Sequence, residues 1–173
     1  MVMMDKPKVA AVSGVKNSGK TTLIEALIPL LSQKGIRCAV IKHDGHSFEA
    51  DREGTDTRKM LEAGAFGAAV FDGEKFQAVK RISVSEKDLM ELYPEADLIL
   101  LEGFKQTEYP KIEIVRKAVS SSPVCDPAGL TALVTDCEVT GPAFAGYEGI
   151  PVFQTDETVK LTDYLLEKLN LYK

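Results

Sequence analysis

The chain has no tryptophan, two histidines and three cysteines, and only 7% of its residues are aromatic. Cys38, Cys125 and Cys137 are odd in number and widely spaced. They form no Cys-x-x-Cys pair and no Cys/His zinc spacing, which excludes a disulfide framework and a cysteine-based metal site. They read as reduced thiols, with Cys38 buried in the run Cys38-Ala39-Val40-Ile41. Positive charge is also scarce: 21 Lys+Arg against 26 Asp+Glu leave a formal net charge of −5. No cationic field is available for a phosphate polymer or an anionic membrane. Apolar stretches such as Leu98–Leu101 fall far short of the roughly 20 residues of a spanning helix. The opening Met-Val-Met-Met-Asp-Lys-Pro-Lys lacks the apolar region of a signal peptide. Neither nucleic acid nor membrane is therefore expected as a partner, and a cytoplasmic location is.

What remains is the composition of one folded domain over residues 1–173, with 45% hydrophobic residues. Lys8-Val9-Ala10-Ala11-Val12-Ser13 reads as a buried strand ending at Gly14, and after Lys20 the apolar positions Leu23, Ile24, Leu27, Leu30 and Leu31 have helical spacing. Pro29 should bend that helix or make it locally irregular, and Gly35 should stop it. Arg37–Ile41 is a second strand, completing a βαβ unit. A short helix is expected from about Thr55 to Gly64, then two strands, Gly67–Phe71 and Phe76–Ile82. They flank Asp72-Gly73, read as a tight hairpin turn with positive φ at both central positions. Ser85-Glu86-Lys87-Asp88 opens a further helix that Pro94 closes. Asp97-Leu98-Ile99-Leu100-Leu101-Glu102-Gly103 is the strongest strand, of the kind buried on both faces. Ile112–Val115, Thr131–Thr135 and Pro151–Phe153 follow as strands, and a helix from about Glu157 to Leu169 closes the chain. The alternation predicts an α/β fold with a doubly wound, mostly parallel sheet.

The chemistry is concentrated in Gly14-Val15-Lys16-Asn17-Ser18-Gly19-Lys20-Thr21, which fits the phosphate-loop pattern Gly-x-x-x-x-Gly-Lys-Thr at every position, between a strand and a helix. Glycines let successive backbone N–H groups converge, and the helix N-terminus adds partial positive charge. Lys20 is expected on the β- and γ-phosphates and the Thr21 hydroxyl on Mg²⁺. A magnesium shell also needs a carboxylate at the end of a neighbouring buried strand, and Glu102 stands there, as a metal-shell or water-orienting group or else as a solvated strand-end carboxylate. Asp97, at the opposite end of that strand, reads as structural.

His43 and His46 lie three apart after the second strand, beside Lys42, Asp44 and Asp51. Zinc would require carboxylates to complete the ligand set. The alternatives are a substrate-side loop joined by Asp56 and Arg58 from the next helix start, and a solvated polar loop. A small-metabolite or nucleotide kinase, or an ATP-dependent synthetase, is the main rival reading of the phosphate loop. Against it, the five arginines (Arg37, Arg52, Arg58, Arg81 and Arg116) do not cluster in a lid-like segment.

Together Gly14–Ile24, Lys42-His43-Asp44-Gly45-His46, the stretch from Asp51 to Ala65 and Leu101-Glu102-Gly103-Phe104-Lys105 resemble the molybdopterin-guanine dinucleotide biosynthesis adapter family (MobB type). The likeness runs from about Lys8 to Arg116. It implies a phosphate-loop, GTP-binding homodimer with slow GTPase activity. Such a protein assists the guanylyltransferase that joins GMP to molybdopterin. It also implies nucleotide contacts from Gly14 through Thr22 and a metal-side role for Glu102. His43, His46, Asp56 and Arg58 carry over as motif positions, and the hairpin at Asp72-Gly73 as a dimer element. Thr55 departs from the family, which often has Lys there. No Asn-Lys-x-Asp base-reading motif is present. Asp136, ending a late strand after Thr135, is the nearest candidate for accepting hydrogen bonds from guanine.

Overall fold

Leu98, Ile99, Leu100 and Leu101 are all but fully buried, as the run of aliphatics between two carboxylates demands of a strand covered on both faces. The computed structural model describes residues 6–44, 48 and 51–172. In chain order these form β1 (Lys8–Ser13), α1 (Lys20–Gln33), β2 (Cys38–Lys42), α2 (Asp56–Glu62), β3 (Gly67–Phe71), β4 (Phe76–Lys80), α3 (Glu86–Met90), β5 (Leu98–Glu102), β6 (Lys111–Val115), β7 (Leu130–Thr135), β8 (Val152–Phe153) and α4 (Thr158–Lys168). The chain divides into two compact units, one made of Met1–His43 with Glu86–Lys173, the other of Asp44–Ser85.

The first unit holds a six-stranded sheet in the order β2-β5-β1-β6-β7-β8, parallel at every pairing. Side chains alternate between its faces. On one face Ala10, Val12, Leu98, Leu100, Ile112 and Val134 pack with Leu23, Leu27 and Leu31 of α1 and Leu161 and Leu165 of α4. On the other, Ala11, Ile99 and Leu101 pack with Leu89 and Met90 of the short α3 and with Phe104 and Tyr109 from loops. Farther along, Phe144 packs on Val115 and Leu133. Both faces are covered, as a doubly wound sheet requires, but the long helices of this unit lie on one of them.

Strands β1 and β2 are not neighbours: β5 runs between them and pairs with each in register, Ala10 and Val40 both opposite Leu100. Helix α1 continues through the exposed Pro29, which near the helix end forfeits only one backbone donor. It stops where expected, with Gly35 at φ 73° and Ile36 N–H donating to Leu31 O at 3.0 Å, a glycine-based helix stop.

In Lys111-Ile112-Glu113-Ile114-Val115 the alternation of charged and apolar residues suggests one wet face, yet Lys111 and Glu113 are 3% and 1% exposed. Lys111 Nζ donates to Lys105 O at 2.7 Å. The Glu113 carboxylate accepts from Val124 N–H and Cys125 N–H at 2.7 and 3.1 Å. These buried charges pin loops, and charge-assisted bonds to backbone groups offset their desolvation.

In the second unit, Gly64 ends the α2 turn at φ 105°, with Ala65 N–H bonded to Met60 O at 3.1 Å, and β3 pairs antiparallel with β4. The hairpin turn differs from the expected one. Gly73 is not among the glycines with positive φ, and Asp72 stands at the start of the turn, Asp72-Gly73-Glu74-Lys75. Its Oδ1 accepts from Glu74 N–H and Lys75 N–H at 2.8 and 2.9 Å. Those bonds hold the Asp72 carboxyl below the ordinary carboxylate range. The side chain does locally what a strained backbone would otherwise do. Phe71 and Phe76 face each other across the strands and are 82% and 73% exposed.

Burial pushes the thiols of Cys38 and Cys125 up to about 11, in keeping with their reading as inert reduced cysteines. At pH 8 only about one in a thousand of each would be thiolate. Mass-spectrometric readout of iodoacetamide labelling at that pH should therefore show both reacting about a hundredfold more slowly than free cysteine. Labelling at the free rate would contradict the packing around them.

Candidate functional site

The loop from Gly14 to Gly19 is shaped by three left-handed positions: Gly14 at φ 145°, Asn17 at 62° and Gly19 at 96°. Such a sequence of dihedrals curls the chain so that consecutive N–H groups turn inward, and the first N–H groups of α1 have no acceptor within the helix. Ser18 is fully buried, yet its Oγ has no hydrogen-bond partner. At Gly14 an added Cβ would lie 2.5 Å from Ile114 O and 2.6 Å from Ser18 Oγ. The loop is thus pressed against β6, and the Ser18 hydroxyl is a buried donor without an acceptor. An oxyanion satisfies that need.

Lys20 Nζ donates back over the loop to Val15 O at 2.8 Å and reaches Gly14 O at 3.5 Å. Burial lowers its pKa, and Glu102 counters by attracting the ammonium. An arriving phosphate would strengthen that attraction. Lys16 and Thr22 are exposed, and Val15 is half-buried.

Glu102 ends β5 at 6% exposure. Its Oε1 accepts from Thr21 Oγ1 at 2.9 Å and lies 3.5 Å from Lys42 Nζ. The surrounding backbone is fixed: His43 N–H donates to Glu102 O at 3.2 Å and Gly103 N–H to Val12 O at 2.9 Å, while Ser13 Oγ bonds Gly103 O. One hydroxyl and one carboxylate oxygen are hard donors that suit a magnesium ion whose remaining ligands are water and phosphate. Such an ion would neutralise developing charge on a phosphate chain. Among the described residues no cluster of three or more His, Cys, Asp and Glu is placed to hold a metal by itself.

His43 is exposed at the end of β2, its ring edge-to-face with Phe104 at 5.6 Å between centroids. His46 lies outside the described residues. Asp56 and Arg58 belong to α2 in the second unit, where Arg58 Nε donates to Glu62 Oε1 at 2.6 Å and Lys59 pairs with Asp56 at 3.4 Å. Asp136, just past β7, accepts from Arg116 Nε at 2.8 Å and from Lys117 N–H at 2.7 Å. Those bonds hold its carboxyl below the ordinary range. The first unit thus brings together Gly14–Thr22 and Glu102, with His43 on the β5 flank of β1 and Asp136 on the β6 flank.

Two residues that sequence reasoning passed over stand in this arrangement. Lys42 ends β2, and its contact with Glu102 exists only because β2 pairs with β5. Arg116 follows β6, and its Nη1 would lie 3.7 Å from a Cβ on Gly19. A cationic residue at the carboxyl end of an apolar strand was the available signal in both cases.

Residues 9–136 match the family model described as Molybdopterin guanine dinucleotide synthesis protein B. A probable molybdopterin-guanine dinucleotide biosynthesis adapter protein of Bacillus subtilis is 32% identical over 165 residues, covering 93% of this chain and 92% of that one. The adapter protein of Haemophilus influenzae is 38% identical over 113 residues, covering 63% and 64%. The structure of Bacillus subtilis MobB superposes with a TM-score of 0.72 at 30% identity, over 94% of this chain and 98% of that one. Among the described residues no helix is long and apolar enough to cross a membrane. The chain belongs to the Molybdopterin guanine dinucleotide synthesis protein B family.

Proposed function

We propose that this protein is a guanine-nucleotide-binding adapter acting in the cytoplasm beside the guanylyltransferase that joins GMP to molybdopterin. The observation that carries the reading is the Thr21–Glu102 pair at 2.9 Å, set at the mouth of a loop whose buried Ser18 Oγ has no partner. In this reading GTP lies along Gly14–Thr22 with Lys20 on its terminal phosphates. Thr21 and Glu102 hold Mg²⁺, His43 stands beside the terminal phosphates, and Asp136 serves the base end. Hydrolysis proceeds at an unassisted rate, on the order of 10⁻⁴ to 10⁻² s⁻¹, so the partner responds to nucleotide binding rather than turnover.

The test is formation of the dinucleotide cofactor by purified guanylyltransferase, with molybdopterin and GTP, with and without this chain. Faster product formation with the chain, lost on Lys20→Ala, supports the reading. An unchanged rate, or GTP hydrolysis by the chain alone at several per second, contradicts it.

A homodimer belongs to the same proposal. Phe71 and Phe76 form an apolar cross-strand pair too exposed for a monomer surface to carry without cause, and a second copy covers them. Sedimentation should find a dimer for the unaltered chain and a monomer for Phe71→Ser with Phe76→Ser. A dimer that survives both changes would place the contact elsewhere.

A further inference from the structure

The sheet order puts different side chains on the two flanks of β1, the strand that feeds the phosphate loop. On one flank of β1 lies β5, carrying Glu102 with Thr21 and Lys42. On the other lie β6 and then β7. A triphosphate held with its terminal phosphates and cation on the β5 flank must extend its nucleoside toward the opposite flank, since ligands of such sheets lie in the crevice beyond the carboxyl ends of the strands. There the first residues after β6 and β7 are Arg116 and Asp136.

Their geometry is that of an oriented cation. The Asp136 carboxylate is fixed by Lys117 N–H at 2.7 Å and receives Arg116 Nε at 2.8 Å. Nη1 of Arg116 lies against Gly19, 3.7 Å from where a Cβ would stand. The bond to Asp136 engages Nε and leaves the two terminal nitrogens and the flat face of the guanidinium for a ligand. A guanidinium held in one plane loses little freedom when it meets a planar ring or a ribose hydroxyl. The pair is also two-fifths and one-third exposed, at 39% and 33%, so it is reachable.

Resting on the nucleotide-binding reading, we infer that Arg116 contacts the nucleoside of the bound nucleotide, base face and ribose, and that Asp136 is its positioning residue. Asp136 then serves the base end through Arg116.

The experiment is calorimetric titration with GTP and, separately, with inorganic tripolyphosphate, both with Mg²⁺. Arg116→Ala should weaken GTP about tenfold and leave tripolyphosphate within twofold. Arg116→Lys, which keeps the charge but not the plane, should show the same loss of GTP. Asp136→Ala should weaken GTP less, and add nothing further in the Arg116→Ala background, because it acts through Arg116. Equal weakening of GTP and tripolyphosphate by Arg116→Ala would make Arg116 a phosphate ligand and overturn the inference. So would GTP binding unchanged in Arg116→Ala, or restored in Arg116→Lys. An additional loss from Asp136→Ala in the double variant would overturn the positioning role. Failure of the unaltered chain to bind either ligand would instead remove the nucleotide-binding reading on which the inference stands.

Discussion

Replacing Lys20 by alanine should weaken triphosphate binding about a hundredfold while leaving the thermal midpoint within a few degrees of the unaltered protein. The binding loss follows from removing a charge-assisted contact, worth about 2–3 kcal/mol, made from a half-buried position. The small effect on stability follows from the position of the side chain. Lys20 is half-buried, its bonds run to the neighbouring carbonyls of Val15 and Gly14, and it contributes nothing to the apolar core behind it. Loss of the fold in Lys20→Ala, with unchanged affinity in whatever fraction remained folded, would assign Lys20 a structural role instead.

Gly14→Ala is expected to fail in the opposite way, through the backbone. A Cβ at this position would stand 2.5 Å from a carbonyl of β6 and 2.6 Å from the buried Ser18 Oγ, at a φ of +145° that side chains avoid. The obstructing carbonyl belongs to Ile114, in a strand paired on both sides, and cannot swing away as a side-chain tip would. Strain and displacement together should cost about 3 kcal/mol, a fall of roughly 10 °C in midpoint for a domain of this size. Nucleotide binding should be lost with it, since the loop cannot keep its curl. Gly54→Ala is the control for left-handed strain alone, because a Cβ there meets nothing within 4 Å. Equal effects at the two positions would show that the contact with β6 is not what matters.

These expectations rest on features that were legible to different depths in the sequence. The curl of Gly14–Gly19 and the Leu98–Glu102 strand were legible because each is local. One is a backbone curl encoded by glycines at fixed spacing, the other an aliphatic run too apolar for anything but a covered strand. Adjacency is not local. That β5 slides between β1 and β2 is decided by packing across the whole sheet, and a periodic pattern reports an element's type without its neighbour. The contact between Lys42 and Glu102, and the pairing of Arg116 with Asp136, were hidden for that reason.

The burial of Lys111 and Glu113 is not local either. Charged residues alternating with isoleucine have the pattern of a half-wet strand, but here the loops carrying Lys105 and Cys125 fold over the charges and supply backbone partners. The hairpin around Asp72 was expected, but its turn lies one residue later, with Gly73-Glu74 at the centre, and has a different cause. The carboxylate bonds to Glu74 and Lys75 replace the backbone dihedrals that Asp-Gly usually signals.

The most direct test of the account is thermal unfolding with GTP, ATP, GDP or no nucleotide, each with and without Mg²⁺. A ligand at a hundred times its dissociation constant adds about 2.7 kcal/mol, or roughly 5–10 °C for this chain. The midpoint should rise with GTP in a Mg²⁺-dependent way, change little with ATP, and lose the Mg²⁺ dependence when Glu102 is replaced by glutamine. A rise with ATP alone would point to a kinase or synthetase, and no rise with any nucleotide would contradict the reading of the loop as a nucleotide site.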